Sequence, residues 1–230
     1  MSWKNKSWGK FFIIFGLVII IFLIYKLYQE YSPDFIDFFS GKSGEKDFVS
    51  DVRHHRLIAG IFLFCLMMLM CAIPGLPASF IGIFIGLCFG PILGSIINVL
   101  ANTNGNLLAI FIIKKFHITN NKKAKSNKWI KKIKNLKNPD LGLYLGYLIP
   151  AIPTFLINYT AQALNIPYKK MFVIIFLGVL PASIIFAYGG DSILSGNFKR
   201  LLVLLLGVLL FIGIGYLIKR HMSKEKGSTL

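Results

Sequence analysis

The stretch that decides the fold is Ile73-Pro74-Gly75-Leu76-Pro77, which has Ile81 four residues after it and follows a long apolar run. A second stretch 76 residues later, Ile149-Pro150-Ala151-Ile152-Pro153 with Ile157, repeats the pattern I-P-x-x-P-x-x-x-I. Two prolines three residues apart remove two backbone donors, so an apolar segment that carries them is poorly suited to a straight helix. Paired interrupted segments predict a repeat-based transporter with broken or re-entrant hairpins around a polar path. Two proline-kinked structural helices are the alternative.

The composition of the whole chain is typical of a membrane protein. Its 230 residues are 55% hydrophobic and 15% charged, with a mean hydropathy of +0.67, which is too apolar for a soluble domain of this length. The long apolar runs are 11–28, 57–73, 95–116, 171–188 and 201–218, and most have the length that spans about 30 Å of hydrocarbon as a helix. The sequence therefore predicts an all-α integral membrane protein, a multi-pass helical bundle with two opposed, proline-broken re-entrant hairpins as an internal repeat.

Three regions are expected along the chain. Residues 1–56 form an N-terminal anchor helix and a polar loop, 57–195 form the membrane domain with a basic loop at 114–142, and 196–230 form a C-terminal transmembrane helix with a basic tail. The lysines before the first apolar run also fit a signal peptide. No small-residue cleavage site follows this long run, which favours an uncleaved anchor.

Positive charge is concentrated beside the apolar runs. The formal net charge is +17, and the basic loop carries ten lysines against a single acid, Asp140. The positive-inside rule places this loop in the cytoplasm, and anionic lipid headgroups rather than nucleic acid are the expected partner. Within the loop, Trp129, Ile133 and Leu136 have the spacing of a short amphipathic helix at the headgroup level, and a solvated charge run is the alternative.

The charge distribution leads to a conflict of topology. If 57–73 and 95–116 cross the bilayer once each and the segment between them turns back, a cytoplasmic basic loop places Lys4, Lys6 and Lys10 outside the cell. Either the ten downstream lysines set the orientation of the chain in spite of these three, or the intervening segment crosses the bilayer fully.

Two residue types recur at helical spacing inside the apolar runs. Glycines four residues apart predict a smooth stripe for close helix packing at Gly82, Gly86, Gly90 and Gly94. Asparagines with the same spacing place three amides on one helix face at Asn98, Asn102 and Asn106. These amides either bond between helices or line a polar path for a headgroup.

Candidate site residues follow from these patterns. The predicted substrate path consists of the proline pairs, the amide face and the polar residues around the second pair, which are Pro74, Pro77, Asn98, Asn102, Asn106, Tyr147, Pro150, Pro153, Asn158 and Gln162. The candidates for a headgroup counter-charge are Lys114, Lys115, Lys169 and Lys170. Alternatively, these lysines snorkel to the interface and fix helix depth.

Other kinds of chemistry have little support in the sequence. The three cysteines, Cys65, Cys71 and Cys88, share no ligand-like spacing with the histidines, so no disulfide, metal site or cofactor is expected. There is also no recognisable set of nucleophile, base and orienting residue, so an enzyme is not predicted.

Residues 73–116 and 141–190 resemble the SNARE-associated Golgi protein family, whose VTT domain belongs to the DedA superfamily. The resemblance rests on Pro74-Gly75, Gly86, the run 89–94, Gly105, the second proline pair with Asn158-Tyr159, and the run 178–181. It implies a compact helical membrane domain with two opposed re-entrant hairpins. It also implies movement of lipids between leaflets, by phospholipid scrambling in some members and undecaprenyl phosphate recycling in some bacterial ones.

The sequence departs from this family pattern at three places. Tyr147 stands where the family often has arginine, Gln162 stands where glycine is common, and 73–94 lacks the acidic residue that members often carry near the first hairpin. The arginine clamp for phosphate and the proton coupling proposed for part of the superfamily are therefore not carried over.

The predicted function is translocation of a phospholipid or polyprenyl-phosphate headgroup across a cell membrane, most simply a bacterial plasma membrane. The alternative is a non-transporting membrane scaffold that binds anionic lipid or a partner protein through its basic loop.

Overall fold

The computed structural model describes residues 14–26, 29, 56–116, 133, 136, 138–149, 152–197, 199, 202 and 207. These residues contain six helices and no strand, so the predicted all-α class is confirmed for this part of the chain. The helices are α1 (Ile14–Lys26), α2 (Arg56–Ala72), α3 (Ser79–Lys115), α4 (Pro139–Leu148), α5 (Thr154–Ala163) and α6 (Tyr168–Leu194). Pro150, Trp129, most of the basic loop and nearly all of the C-terminal apolar run lie outside the described residues.

Helix α3 is folded back on itself at Gly90. This residue has φ 76° and ψ −179°, a conformation that glycine adopts without a steric penalty, and Pro91 follows it. The two segments, α3a (79–89) and α3b (91–115), run antiparallel: the Asn98 side chain donates to the Gly82 carbonyl over 2.9 Å, and a Cβ on Gly94 would lie 3.0 Å from the Gly86 Cα. In a straight helix Asn98 and Gly82 would be about 24 Å apart.

The fold-back corrects the predicted glycine stripe. Gly82, Gly86 and Gly94 lie at close helix contacts, but on two antiparallel segments rather than along one side of a single helix. Gly90 is the turn itself, and a Cβ there would meet only the Asp191 carboxylate, 4.0 Å away. The regular spacing wrongly predicted a single helix, because it continues through Gly90, whose backbone is not helical.

Helix α2 completes a hairpin with α3a. Residues 73–78, the first tip, join the two helices, and Gly75 within this tip has φ 89°. A Cβ on Gly60, near the start of α2, would lie 3.6 Å from the Phe89 ring at the end of α3a, so the helices are antiparallel. Helix α1 packs beside this hairpin, where Ile20 joins its apolar cluster and Gly16 touches Ile73.

The short helices α4 and α5 form the second pair. Asn138 caps α4 by accepting the Leu141 amide, and Pro139 occupies its first turn. Residues 149–153, the second tip, join α4 to α5, and the helices meet where Gly146 contacts Ile157. Helix α5 ends at a turn in which Asn165 has φ 53°, and α6 begins directly after it.

Helices α3b and α6 form the long axis of the bundle. They are antiparallel: Gly94 lies beside Ala187, the Asn98 amide is 3.4 Å from the Ser183 carbonyl, and the Lys114 ammonium is 5.2 Å from the Tyr168 ring centroid. Small residues allow this close approach, which is the main route to helix association in lipid.

The outer surface of the bundle is apolar. Exposed large side chains on α3b and α6 include Ile92, Ile96, Phe111, Val173 and Leu177. Two of the described helices, α3 and α6, are long and apolar enough to cross a bilayer. After the fold at Gly90, α3b alone is still about 37 Å long, which exceeds the roughly 30 Å of hydrocarbon.

Candidate functional site

One open cavity of about 550 Å³ lies where the two tips approach each other. The first tip lines it with 73–78, and the second tip lines it with Ile152 and Pro153. Asn102 on α3b and Ala182 on α6 contribute to the walls. The volume falls in the range of sites that hold small molecules, roughly 300 to 1,000 Å³.

The two hairpins reach this cavity from opposite ends of the long helices. The outer end of the first hairpin lies at Gly90, close to Asp191 near the end of α6. The outer end of the second hairpin lies at the start of α6, where the Lys170 ammonium pairs with the Asp140 carboxylate of α4 over 2.5 Å. Asn102 is about 17 Å along α3b from Pro91 and about 20 Å from Lys115, so the tips meet near the middle of the bundle.

A chain of buried hydrogen bonds runs beside the cavity and joins three helices. The Tyr147 hydroxyl of α4 donates to the Asn158 Oδ1 of α5 over 2.5 Å, and the Asn158 Nδ2 donates to the Asn106 Oδ1 of α3b over 2.8 Å. The Asn106 Nδ2 in turn donates to the Asn102 Oδ1 over 2.6 Å. Because Asn102, Tyr147 and Asn158 also line the cavity, this network sets the position of polar groups on its wall.

The three asparagines of α3b therefore do different things. Asn98 holds the fold-back together, since it is fully buried and donates to carbonyls of both Gly82 and Ser183. Asn106 is also fully buried and connects α3b to α5. Asn102 is the member of the set that faces the cavity. The two expectations for the amide face, interhelical bonding and a polar lining, thus describe different residues of the same face.

The four candidate lysines lie at one end of the bundle rather than at the cavity. Lys114 lies over the Tyr168 ring, Lys115 lies 5.8 Å from the Phe111 ring centroid, and Lys170 pairs with Asp140. Lys169 is exposed at the start of α6. None of the four lines the cavity. Ile133 and Leu136 of the basic loop pack onto Gly142 of α4.

Six of the nine predicted path residues that the structure describes line the cavity, and three do not. Those that line it are Pro74, Pro77, Asn102, Tyr147, Pro153 and Asn158. Asn98 and Asn106 lie in the packing behind it, Gln162 lies one turn further along α5, and Pro150 is outside the described residues.

Sequence reasoning missed two hydroxyls of the lining, Ser79 and Thr154. Both come within two residues of the second proline of a pair, at Pro77 and Pro153, so the repeat itself carried the signal.

A family model described as the VTT domain matches residues 76–192. The match begins inside the first tip and ends in the last turn of α6, so it includes both sides of the cavity. No curated protein and no solved structure gives a significant match to the chain.

Proposed function

The chain belongs to the VTT domain family and is a membrane protein of the DedA superfamily, and on that premise we propose that its two hairpins are re-entrant and carry a lipid headgroup across the bilayer. The observation that supports this most directly is the meeting of both proline-bearing tips at one cavity that Asn102 and Asn158 also line, near the middle of helices long enough to span the membrane.

The barrier that such a protein lowers is the desolvation of a polar headgroup in about 30 Å of hydrocarbon. Irregular backbone is tolerated at membrane depth only where it is covered by protein or faces a polar cavity. Asn102, Asn158 and Tyr147 place hydrogen-bonding groups on the cavity wall. The headgroup exchanges water for these groups while its acyl chains stay in lipid, and no covalent step is required.

The two halves of the bundle from α2 to α6 support a repeat. Each half has a helix, a proline-bearing tip, a short helix of about 15 Å, a turn with a positive φ at Gly90 or Asn165, and one long helix. A helix of about 15 Å is too short to cross the bilayer, which favours re-entrant hairpins over four separate spans.

We further propose that the protein resides in a bacterial plasma membrane.

Lipid exchange in reconstituted vesicles tests the function. Purified protein is placed in vesicles that contain a trace of fluorescent phospholipid, and the exposure of inner-leaflet label to an external quencher is followed against protein-free vesicles. We expect exchange with the natural chain and a large loss with Ala182→Trp, because the indole protrudes into the cavity and obstructs it.

Leu177→Trp is the matched control, since Leu177 lies on the same helix but is 49% exposed on the outer surface. Equal exchange in both tryptophan variants, with both eluting as folded protein, would show that the cavity is not the route. Binding to anionic vesicles without any exchange would favour the scaffold alternative.

A further inference from the structure

We propose that the headgroup this cavity accepts is uncharged and rich in hydroxyl groups, as in a glycosyl diacylglycerol, and is not an anionic phosphate. The inference rests on the proposed lipid translocation and adds its substrate class. It is carried by the chemistry of the cavity wall.

The described wall is mostly apolar, and the few polar side chains within it carry no charge. Its hydrogen-bonding side chains are amides and hydroxyls, namely Ser79, Asn102, Tyr147, Thr154 and Asn158. The sequence adds no charge at either tip, because 73–79 and 149–155 contain no Asp, Glu, Lys, Arg or His, including the two positions outside the described residues.

An uncharged wall discriminates against phosphate. An anion moved into a site of low dielectric loses its hydration, and the loss is offset only by a paired cation or several strong donors. Sugar hydroxyls both donate and accept hydrogen bonds, as the side chains of Ser79, Asn102 and Thr154 on the wall do, so they can bond to one another without any charge.

Lys114, the described lysine that directly follows a wall residue, does not alter this balance. Ile113 is the last residue of α3b on the wall, and Lys114 follows it. The Lys114 ammonium is directed to the Tyr168 ring, 5.2 Å from its centroid, at the start of α6. A cation placed there can attract anionic lipid to the surface of the bundle, but it does not accompany a headgroup to Asn102 in the middle.

The test compares two lipids that differ only in the headgroup. Proteoliposomes receive traces of glucosyl diacylglycerol or phosphatidylglycerol with the same fluorescent acyl chain, and exchange rates are corrected for protein-free vesicles. We expect the glycolipid to exchange at least about tenfold faster, because the cost of an unpaired charge dominates. Equal rates, or faster phosphatidylglycerol, would overturn the inference and leave translocation intact. Exchange of neither lipid, nor of the phospholipid used above, would reject translocation itself.

A charge added to the wall tests whether the lack of charge there selects the headgroup. Thr154 is exposed at the start of α5, so a longer side chain fits there without displacing packed atoms. Thr154→Lys is expected to lower the glycolipid-to-phosphatidylglycerol rate ratio several-fold, and the uncharged Thr154→Gln is expected to preserve it. If the two variants give the same ratio, wall charge does not select the headgroup and the inference fails.

Discussion

Asn158→Leu is the substitution that bears most directly on the polar network. Asn158 is 1% exposed, accepts the Tyr147 hydroxyl and donates to Asn106. Leucine has the same number of side-chain heavy atoms but no polar atom, so the Tyr147 hydroxyl and the Asn106 oxygen each lose their Asn158 partner. The variant is therefore expected to be less stable although it is more apolar.

The magnitude follows from the two lost bonds. Interhelical hydrogen bonds in membrane proteins average about 0.6 kcal/mol and reach about 1.7 kcal/mol. Two such bonds give an expected loss of about 1 to 3 kcal/mol in the free energy of unfolding. Gln162→Leu is the matched control, because Gln162 lies four residues later on α5, is only partly buried and is not on the cavity wall. Its effect is expected to stay within about 0.5 kcal/mol.

Reversible unfolding of the purified protein in mixed micelles measures these differences. Combining Asn158→Leu with Tyr147→Phe closes a double-mutant cycle, and the coupling between the two sites is expected at about 0.6 to 1.7 kcal/mol. A coupling energy indistinguishable from zero, or an Asn158→Leu variant as stable as Gln162→Leu, would refute the assigned network.

Two further predictions concern helix packing and surface charge. Gly190→Ala should lower the free energy of unfolding by about 1 to 3 kcal/mol, because the added Cβ would lie 2.6 Å from the Leu87 amide nitrogen. The adjacent Gly189→Ala is the control, since its Cβ would meet no atom within 4 Å and should not destabilise the protein. Similar unfolding curves for the two variants would contradict the contact between α6 and α3a. Lys170→Gln should change stability by no more than about 1 kcal/mol, because the side chain is 55% exposed and its ion pair with Asp140 is screened by water; a loss well beyond this in the same assay would mean that the ion pair holds α4 to α6.

The sequence was most informative where a residue type strongly restricts the local backbone conformation. Prolines in an apolar run leave few conformations, so the breaks near Pro74 and Pro153 could be predicted, and the spacing of the asparagines placed them on one helix face. Phe89-Gly90-Pro91 is a local signal for a helix end, but the regular glycine spacing through it also fits a packing stripe. The antiparallel fold-back itself could not be predicted, because it depends on tertiary contacts such as the one from Asn98 to Gly82, which helical periodicity does not reveal.

The cavity wall was only partly predictable for a related reason. Asn102 and Asn106 have the same spacing and residue type, and only their neighbours decide which one faces open space. Asn158 donates a hydrogen bond to Asn106 in the packed interior, whereas Asn102 lies on the cavity wall. Val179 and Ala182 of α6 are ordinary apolar residues, and no local signal distinguishes them from the rest of that helix.

The turn at Gly90 also bears on which side of the membrane each end of the chain lies. In the proposed re-entrant arrangement, α2 and α3a enter and leave the membrane on the same face, so that only α3b crosses it between Gly90 and the basic loop. With the basic loop in the cytoplasm, as its charge predicts, this arrangement makes the acidic segment 30–55 external, and one crossing between 1–10 and 30–55 returns Lys4, Lys6 and Lys10 to the cytoplasm. The proposal therefore removes the conflict among the lysines, and it predicts that reporter fusions at the N-terminus and within 30–55 report opposite sides.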